Sequence, residues 1–592
     1  PSYLPIRGED GKPTLYSNYP NPAEMIKVSD RTKTSGYYLN FAADVDIIKD
    51  MLSFRLMYGI NKENANRNLY IPSDIYFMDM YKSRGHLGYV ERRNQTMEGT
   101  LTFKKQFGDL LRVDAVVGMG RYTNDSNGLE LDYEQINDHI AADKVEAAEG
   151  AFYPTSFRAA DERRSQFARA SVDVLDRYVV AATIRRDGTD KFFPGKKYAY
   201  FPSVSLAWKL SNEPFMKHIS WIDQLKIRGS YGQTGNSNVG NRTMNLYNTG
   251  YNNVFGNTIH TGVLASQLGN PNLTWETTKE FNVGLDLGFI NNRISLSMEY
   301  FNRTISDLLV KEKSLPSYNE VTSIASNIGE TKSQGFEMTL NTVNIDNRDW
   351  TWTTDLTLSL YRDRWKERDP NWKPAAYQKE DDWIRSMYSF VSDGLMQPGE
   401  ERPKHQPTLM PGQIKMKDLD KNGVLDDHDK VLLGSKDPAF LFGFNNTVRY
   451  KNFDLNIYLY GEVNALKGAS YYDDWTTMGY GFTQGRNSSQ GFKDTWRHDN
   501  QHAKYANITG VGPDGAGDYF IKKISYLRCR NITLGYTIPV SNKILNNIRV
   551  YADVNNPFVL TNWTGLDPET DNGNSYAYPN VTSFSLGVDI TF

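Results

Sequence analysis

The fold class this sequence predicts is all-β, a transmembrane antiparallel β-barrel, and three observations predict it. The chain closes on TSFSLGVDITF, where Phe584, Leu586, Val588, Ile590 and Phe592 alternate with Ser583, Ser585, Gly587, Asp589 and Thr591. One apolar face backed by a small or polar one suits the last strand of a barrel whose walls meet lipid outside and water inside. Similar alternating runs recur in pairs joined by very short links, and long polar stretches separate one pair from the next. Short turns at one end and long loops at the other are the asymmetry of outer-membrane barrels. Composition agrees: 37 Tyr, 46 Gly and 13 % aromatic residues suit strands, turns and interfacial girdles.

The elements follow in chain order. Tyr38 to Ile47 meets Leu52 to Gly59, Thr96 to Lys105 meets Leu111 to Arg121, and Arg163 to Val174 meets Val179 to Arg186. Phe201 to Leu210 and Leu225 to Tyr231 flank Ser211 to Lys217, which reads as a single capped helical turn with Pro214 near its start. Phe281, Val283, Leu285 and Leu287 precede INN and then Ile294, Leu296, Met298 and Tyr300, the clearest hairpin of the chain. Phe336 to Leu340 pairs with Trp350 to Leu360, Phe440 to Phe444 with Phe453 to Leu459, and Ile532 to Tyr536 with Val550 to Val554. With the terminal strand this makes about 17 spans, at roughly ten residues per tilted strand.

Long loops are expected from about Asn61 to Gln95, Asn124 to Glu162, Gln233 to Glu276, Arg303 to Thr331, Arg362 to Lys436 and Asn464 to Ser525. Compact soluble domains seldom contain so many long irregular connections. Pro1 to Gly36 contains no convincing span, and an odd strand count does not close an ordinary bacterial barrel. A partner strand ahead of Tyr38 is therefore expected, and the chain reads as a fragment or as one piece of a divided protein.

Several classes are excluded. The mean hydropathy of −0.59 and the lack of an eighteen-residue apolar run rule out transmembrane helices, though not strands. A net charge of −3 with both signs dispersed leaves no nucleic-acid footprint. Cys529, the single cysteine, excludes an internal disulfide and a cysteine metal cluster. The opening PSYLPIRGED shows no basic or apolar signal region as given, so either an export signal has been removed or the chain is expected to be a fragment. No Gly-x-Ser-x-Gly elbow, zincin helix or Walker loop is present. Asp499 beside His498 and His502 is the best hydrolase candidate, and neighbouring polar residues in a loop lack a positioned nucleophile.

Eight phrases in order, RRDGTDKFFP from Arg185, YFPSVSLAWKLSNEPFM from Tyr200, LKIRGSYGQTGN from Leu225, NPNLTWETTKEFNVGLDLGF from Asn270, IGETKSQGFEMTL from Ile328, PGQIKMKDLDKNGVLDDHDK from Pro411, SYLRCRNITLGYTIP from Ser525 and the terminal SLGVDITF, are similar to the SusC/RagA-like TonB-dependent outer-membrane transporters. That resemblance implies a 22-strand barrel, of which residues 1–592 would be the C-terminal part. It implies an N-terminal plug and TonB-contacting portion supplied as a separate chain or missing segment, without which the chain would not be transport-competent. It also implies a SusD-like surface lipoprotein over the outward loops and an oligosaccharide or peptide substrate. A passive porin or surface-adhesion barrel is the other class compatible with the strand pattern.

Asp418-x-Asp420-x-Asn422-Gly423-Val424-x-Asp426-x-x-Asp429, within an EF-hand-like segment 411–436, places oxygen donors at positions 1, 3, 5, 7, 9 and 12 of a calcium loop. Val424 contributes its carbonyl, Gly423 makes the turn, and Asp429 is shorter than the usual Glu. The ion would be structural, and the alternative is an acidic turn that binds nothing. Tyr471, Tyr472, Trp475, Tyr480 and Phe482, with Trp496 beyond, are candidates for stacking on ligand, or equally for packing the loop on itself. Trp208, Trp350, Trp352 and Tyr536 near strand ends read as girdle residues.

Overall fold

The computed structural model describes residues 7–8, 11, 24–77, 80–138, 144–469, 490–507, 510–540, 545–570 and 580–591. Its framework is a single 17-stranded antiparallel sheet in which each strand pairs with the next along the chain. We label these strands β1 (Ser29–Ile48), β2 (Leu52–Ile71), β3 (Arg84–Phe107), β4 (Leu111–Glu134), β5 (Phe152–Val174), β6 (Tyr178–Thr189), β7 (Tyr198–Lys209), β8 (Ile222–Asn236) and β9 (Glu276–Phe289). There follow β10 (Ile294–Ser306), β11 (Glu330–Asp346), β12 (Trp350–Glu367), β13 (Phe440–Tyr450), β14 (Phe453–Lys467), β15 (Lys522–Pro539), β16 (Asn547–Thr561) and β17 (Ser583–Thr591). Every span read from the sequence coincides with one of them, except that Leu210 begins the following 3-10 turn and Phe592 lies outside the described residues. β1 and β17 do not pair with each other, so the described sheet keeps two free edges.

Register assigns the faces. Val45, Phe54, Leu101, Val117, Ala168 and Ile184 lie side by side across β1 to β6. The same row logic carries Leu285, Met298, Met338, Leu358 and Phe442 on one face of β9 to β13. That face stays apolar along the sheet and stays largely exposed, with Leu206 57 % and Leu586 87 % accessible. A continuous exposed apolar wall is what lipid solvates and water does not.

The opposite face is charged. Lys226 on β8 meets Asp286 on β9 at 3.1 Å, and Arg228 meets Glu299 on β10 at 2.6 Å. Arg549 on β16 holds Asp454 on β14 at 2.6 Å. Because side chains alternate across each strand, both faces come from the same residues' spacing.

The tight turns gather at one end. Gly108 adopts φ +58° between β3 and β4, and Leu175 and Asp176 adopt φ of 57° and 52° between β5 and β6. Between β7 and β8 the expected helical turn is two short 3-10 turns, Leu210–Asn212 and Pro214–Met216. Beside this turn end the aromatics cluster: Tyr178 stacks on Trp208 at 6.3 Å, and Trp350 and Phe453 pack in tilted pairs with Tyr450 at 4.3 Å and Tyr536 at 4.6 Å. The Trp352 indole donates to Asn446 at 3.1 Å. These are the positions of an interfacial girdle.

Three expected stretches are corrected. β2 continues to Ile71 and β3 starts at Arg84, so most of Asn61 to Gln95 is strand; likewise β4 and β5 consume much of Asn124 to Glu162. β1 likewise begins at Ser29, inside the stretch to Gly36 read as free of spans. Beyond the apolar band, toward the long connections, both faces are polar, so the alternation disappears while the backbone ladder continues, with polar pairs such as Arg93–Asp125 across it.

Candidate functional site

The loop end carries the candidate sites, resting on two apolar clusters. In one, Phe192 and Phe201 pack edge-on against Trp275 at 5.7 and 5.6 Å, with Leu273 fully buried beside them. The Trp275 indole donates to the Lys197 carbonyl at 3.0 Å. The phrases KFFP and NLTWE thus meet in space, which explains them as packing.

The second cluster joins two long loops. Leu395, Ile414 and Met416 from the β12–β13 connection pack with Trp496, Tyr505 and Phe520 from the β14–β15 connection. Trp496, a candidate ligand platform, is 6 % exposed there, and its ring faces Gly412, where φ is +83° and an added Cβ would come within 2.4 Å of the ring. Trp496 therefore serves as core. Tyr471, Tyr472, Trp475, Tyr480 and Phe482 lie outside the described residues. Asp499 accepts from Arg497 Nε at 3.2 Å on the exposed surface rather than orienting a histidine.

The acidic loop is anchored on that second core. The short strand Ile414–Met416 leads into it, Leu425 packs against the core, and the turn Asp427–Asp429 leads out into the strand Lys430–Ser435. Strands thus replace the helices that flank an EF-hand. Gly423, at the sixth position, has φ +84° and open space around it.

Asp418, Asp420 and Asp429 bring one carboxylate oxygen each within 4.8 Å of one another. Asp429 is fully buried, and its two oxygens accept the backbone N–H groups of Leu419 at 2.6 Å and Asp426 at 2.9 Å. Asp418 accepts from Gly423 N at 2.8 Å. Burial alone would raise the Asp418 pKa, and the Gly423, Lys421 and Asn422 N–H groups with Asp420 override it and hold it low. Asp426, held low chiefly by the His428 N–H and ring, is engaged with that histidine at 2.7 and 2.9 Å. The Val424 N–H donates to the Asn422 side-chain oxygen at 2.7 Å. Of the four predicted carboxylates three therefore converge, while Asp426 is engaged with His428.

One cluster was not legible in the sequence. Buried Arg528, on the inward face of β15, grips Asp567 with one terminal nitrogen at 2.9 and 2.8 Å from its two oxygens, and also pairs with Glu569. Tyr460 donates to Glu569 at 2.5 Å. Although burial pushes Asp567 up, the Glu569 N–H and Arg528 hold its carboxyl below the ordinary range. Asp567 is 39 residues from Arg528, and no spacing rule joins them. The network ties the β16–β17 connection down onto the inward face at the mouth. Cys529, beside it, is free and buried.

Comparison with known proteins places this geometry. The family described as TonB dependent receptor-like, beta-barrel, matches residues 3–409. TonB-dependent receptor P3 of Formosa agariphila is 29 % identical over 100 % of this chain and 62 % of its own length. TonB-dependent receptor SusC of Bacteroides thetaiotaomicron is 31 % identical over 72 % of this chain and 43 % of its own. The fold is similar to that of the RagAB peptide transporter, with TM-score 0.82 at 19 % identity over 97 % of this chain and 63 % of that one. The chain thus spans about three fifths of the length of P3.

Proposed function

The chain belongs to the TonB-dependent receptor-like β-barrel family, and from that membership we propose that it forms the C-terminal barrel wall of an outer-membrane nutrient importer of SusC type. The observation that carries this reading is the two-faced sheet, apolar outside and ion-paired inside, with its tight turns at one end and structured loops at the other. On this reading the loops face outward and a SusD-like lipoprotein covers them. The free edges of β1 and β17 are closed by further strands of a 22-strand barrel. Those strands and the plug with its TonB contact would come from polypeptide outside these 592 residues. Oligosaccharide or peptide is the cargo class: SusC is a named relative, and the similar RagAB fold is that of a peptide transporter.

Mass spectrometry of everything that copurifies from solubilised outer membrane tests the proposal. A plug-bearing polypeptide and a surface lipoprotein are expected. An open, steadily conducting pore in planar bilayers, with neither present, would instead identify a porin.

We also propose that the acidic loop holds a structural calcium ion through Asp418, Asp420 and Asp429, with Asn422, the Val424 carbonyl and Asp426 turning in or acting through water. Support comes from the convergence of three carboxylates around one point, which a hard divalent cation would neutralise. Calorimetry on EDTA-stripped protein tests it; no calcium uptake refutes it.

A further inference from the structure

The lipid-facing wall is not uniform. Across β2 to β7 it forms a groove of about 1080 Å³ whose floor carries Phe54, Leu101, Val117 and Ile184. Gly99, in the row above, deepens it, because a Cβ there would only touch the Phe54 ring at 3.8 Å. Toward the loop end the same face becomes cationic within two steps of the ladder. Arg186 stands in the row of Gly99 and Met119, and Arg121 and Arg164 are paired in the next.

The height of these cations is telling. Arg121 lies about ten residues from the β3–β4 turn and Arg164 about ten from the β5–β6 turn. At roughly 3.4 Å per residue and a tilt near 40°, that is about 25 Å along the barrel axis. An outer-membrane barrel's apolar band is also about 25 Å tall. The guanidinium groups therefore stand where acyl chains give way to headgroups.

Their charge is only partly met. Glu162 takes both Arg121 at 2.7 Å and Arg164 at 2.5 Å. Arg186 lies 3.9 Å over the Tyr198 ring and donates to Gln166 at 3.1 Å, and its Nε is buried without a hydrogen-bond partner. No carboxylate pairs with Arg186 among the described residues. Above them Arg93 pairs with Asp125 and Lys62 with Glu91, and Arg158 stands opposite Asn127 in the row of Glu91. Three arginines face one carboxylate, and the surplus of two positive charges sits at the top of an acyl-sized trough.

We propose that this groove is a binding site for the phosphorylated, multiply acylated glycolipid of the outer leaflet, that is, lipid A. Acyl chains lie along the floor, while Arg164 and Arg186 bind a headgroup phosphate through charge-assisted hydrogen bonds, with Tyr198 and Tyr200 flanking it. A phosphate also relieves the shared demand on Glu162. Charge complementarity selects this occupant over neutral lipid, and the height selects a headgroup over a soluble anion.

The inference rests on the outward orientation of the loops, and the test keeps the two apart. The complete transporter, purified in detergent, is titrated with bisphosphorylated lipid A and with the same lipid stripped of phosphate, and bound lipid is read by native mass spectrometry. The phosphorylated form is expected to bind at least about tenfold more tightly. Arg164→Gln with Arg186→Gln is expected to remove that preference. Gly99→Leu fills the groove without altering charge and is expected to weaken both forms about tenfold. Equal binding of the two forms, equal competition by phosphatidylglycerol, or an unchanged preference in the double variant would overturn the proposal. Micelle binding does not depend on orientation, which impermeant labelling of a loop cysteine on intact cells reports separately.

Discussion

Asp429 offers the sharpest perturbation of the loop end. Its buried carboxylate accepts two backbone N–H groups, from Leu419 and from Asp426, and so joins the start of the acidic loop to its exit. Asp429→Ala leaves both donors unmet, at about 1–3 kcal/mol each, or about 2–6 kcal/mol for opening the loop locally. Since about 1.4 kcal/mol is a factor of ten, hydrogen exchange at the Leu419 and Asp426 amides should accelerate by roughly 30-fold to 10⁴-fold. Asp429→Asn retains one acceptor and should fall between. Peptide-level exchange over residues 417–430, measured in EDTA, isolates this effect from any metal. Wild-type rates at those two amides in the alanine variant would refute the argument that the carboxylate organises the loop. Repeating the measurement with calcium at about 100 times its dissociation constant should protect the wild-type loop by a further ~2.7 kcal/mol, and leave the alanine variant little changed.

Arg528→Met strands Asp567 and Glu569 in a buried site, and about 3–5 kcal/mol of local stability should be lost; faster exchange and proteolysis at residues 563–570 is the readout, with Arg528→Met/Asp567→Leu recovering part of it. Trp275→Ala removes the ring between Phe192 and Phe201 and should cost about 3–5 kcal/mol, seen as loosening of residues 190–197 and not of the turn end. A cysteine at Tyr318, which is 86 % exposed at the loop end, should react with an impermeant maleimide on intact cells, whereas one at Lys49 in the β1–β2 turn should not; buried Cys529 keeps the background low. The reverse labelling would invert the topology.

Much of this was legible because strand alternation is a local property. Phe584 to Ile590, or Phe281 to Leu287 against Ile294 to Tyr300, announce a face and a register by themselves, since each side chain's direction follows from its parity. The acidic loop was legible for the same reason: Asp418, Asp420 and Asp429 are neighbours in sequence before they converge in space. Where both faces meet water, as in β2 beyond Asn61, parity carries no hydropathy signal, and the strand reads as loop although its ladder continues to Ile71.

What only the tertiary structure decided depends on which distant segments meet. Trp496 looked as fit to stack on a ligand as to pack, and burial against a loop some eighty residues earlier made it core. Arg528 and Asp567 are unremarkable until the β16–β17 connection folds back over β15. Arg121, Arg164 and Arg186 sit on three different strands, and only the register of β4, β5 and β6 sets them in two adjacent rows on the lipid side. The sequence by itself determined a two-faced wall and a candidate ion loop, because both follow from spacing along the chain. The pairing of strands decided where charges gather on that wall, because electrostatics depends on distance through space, which spacing along a chain does not encode.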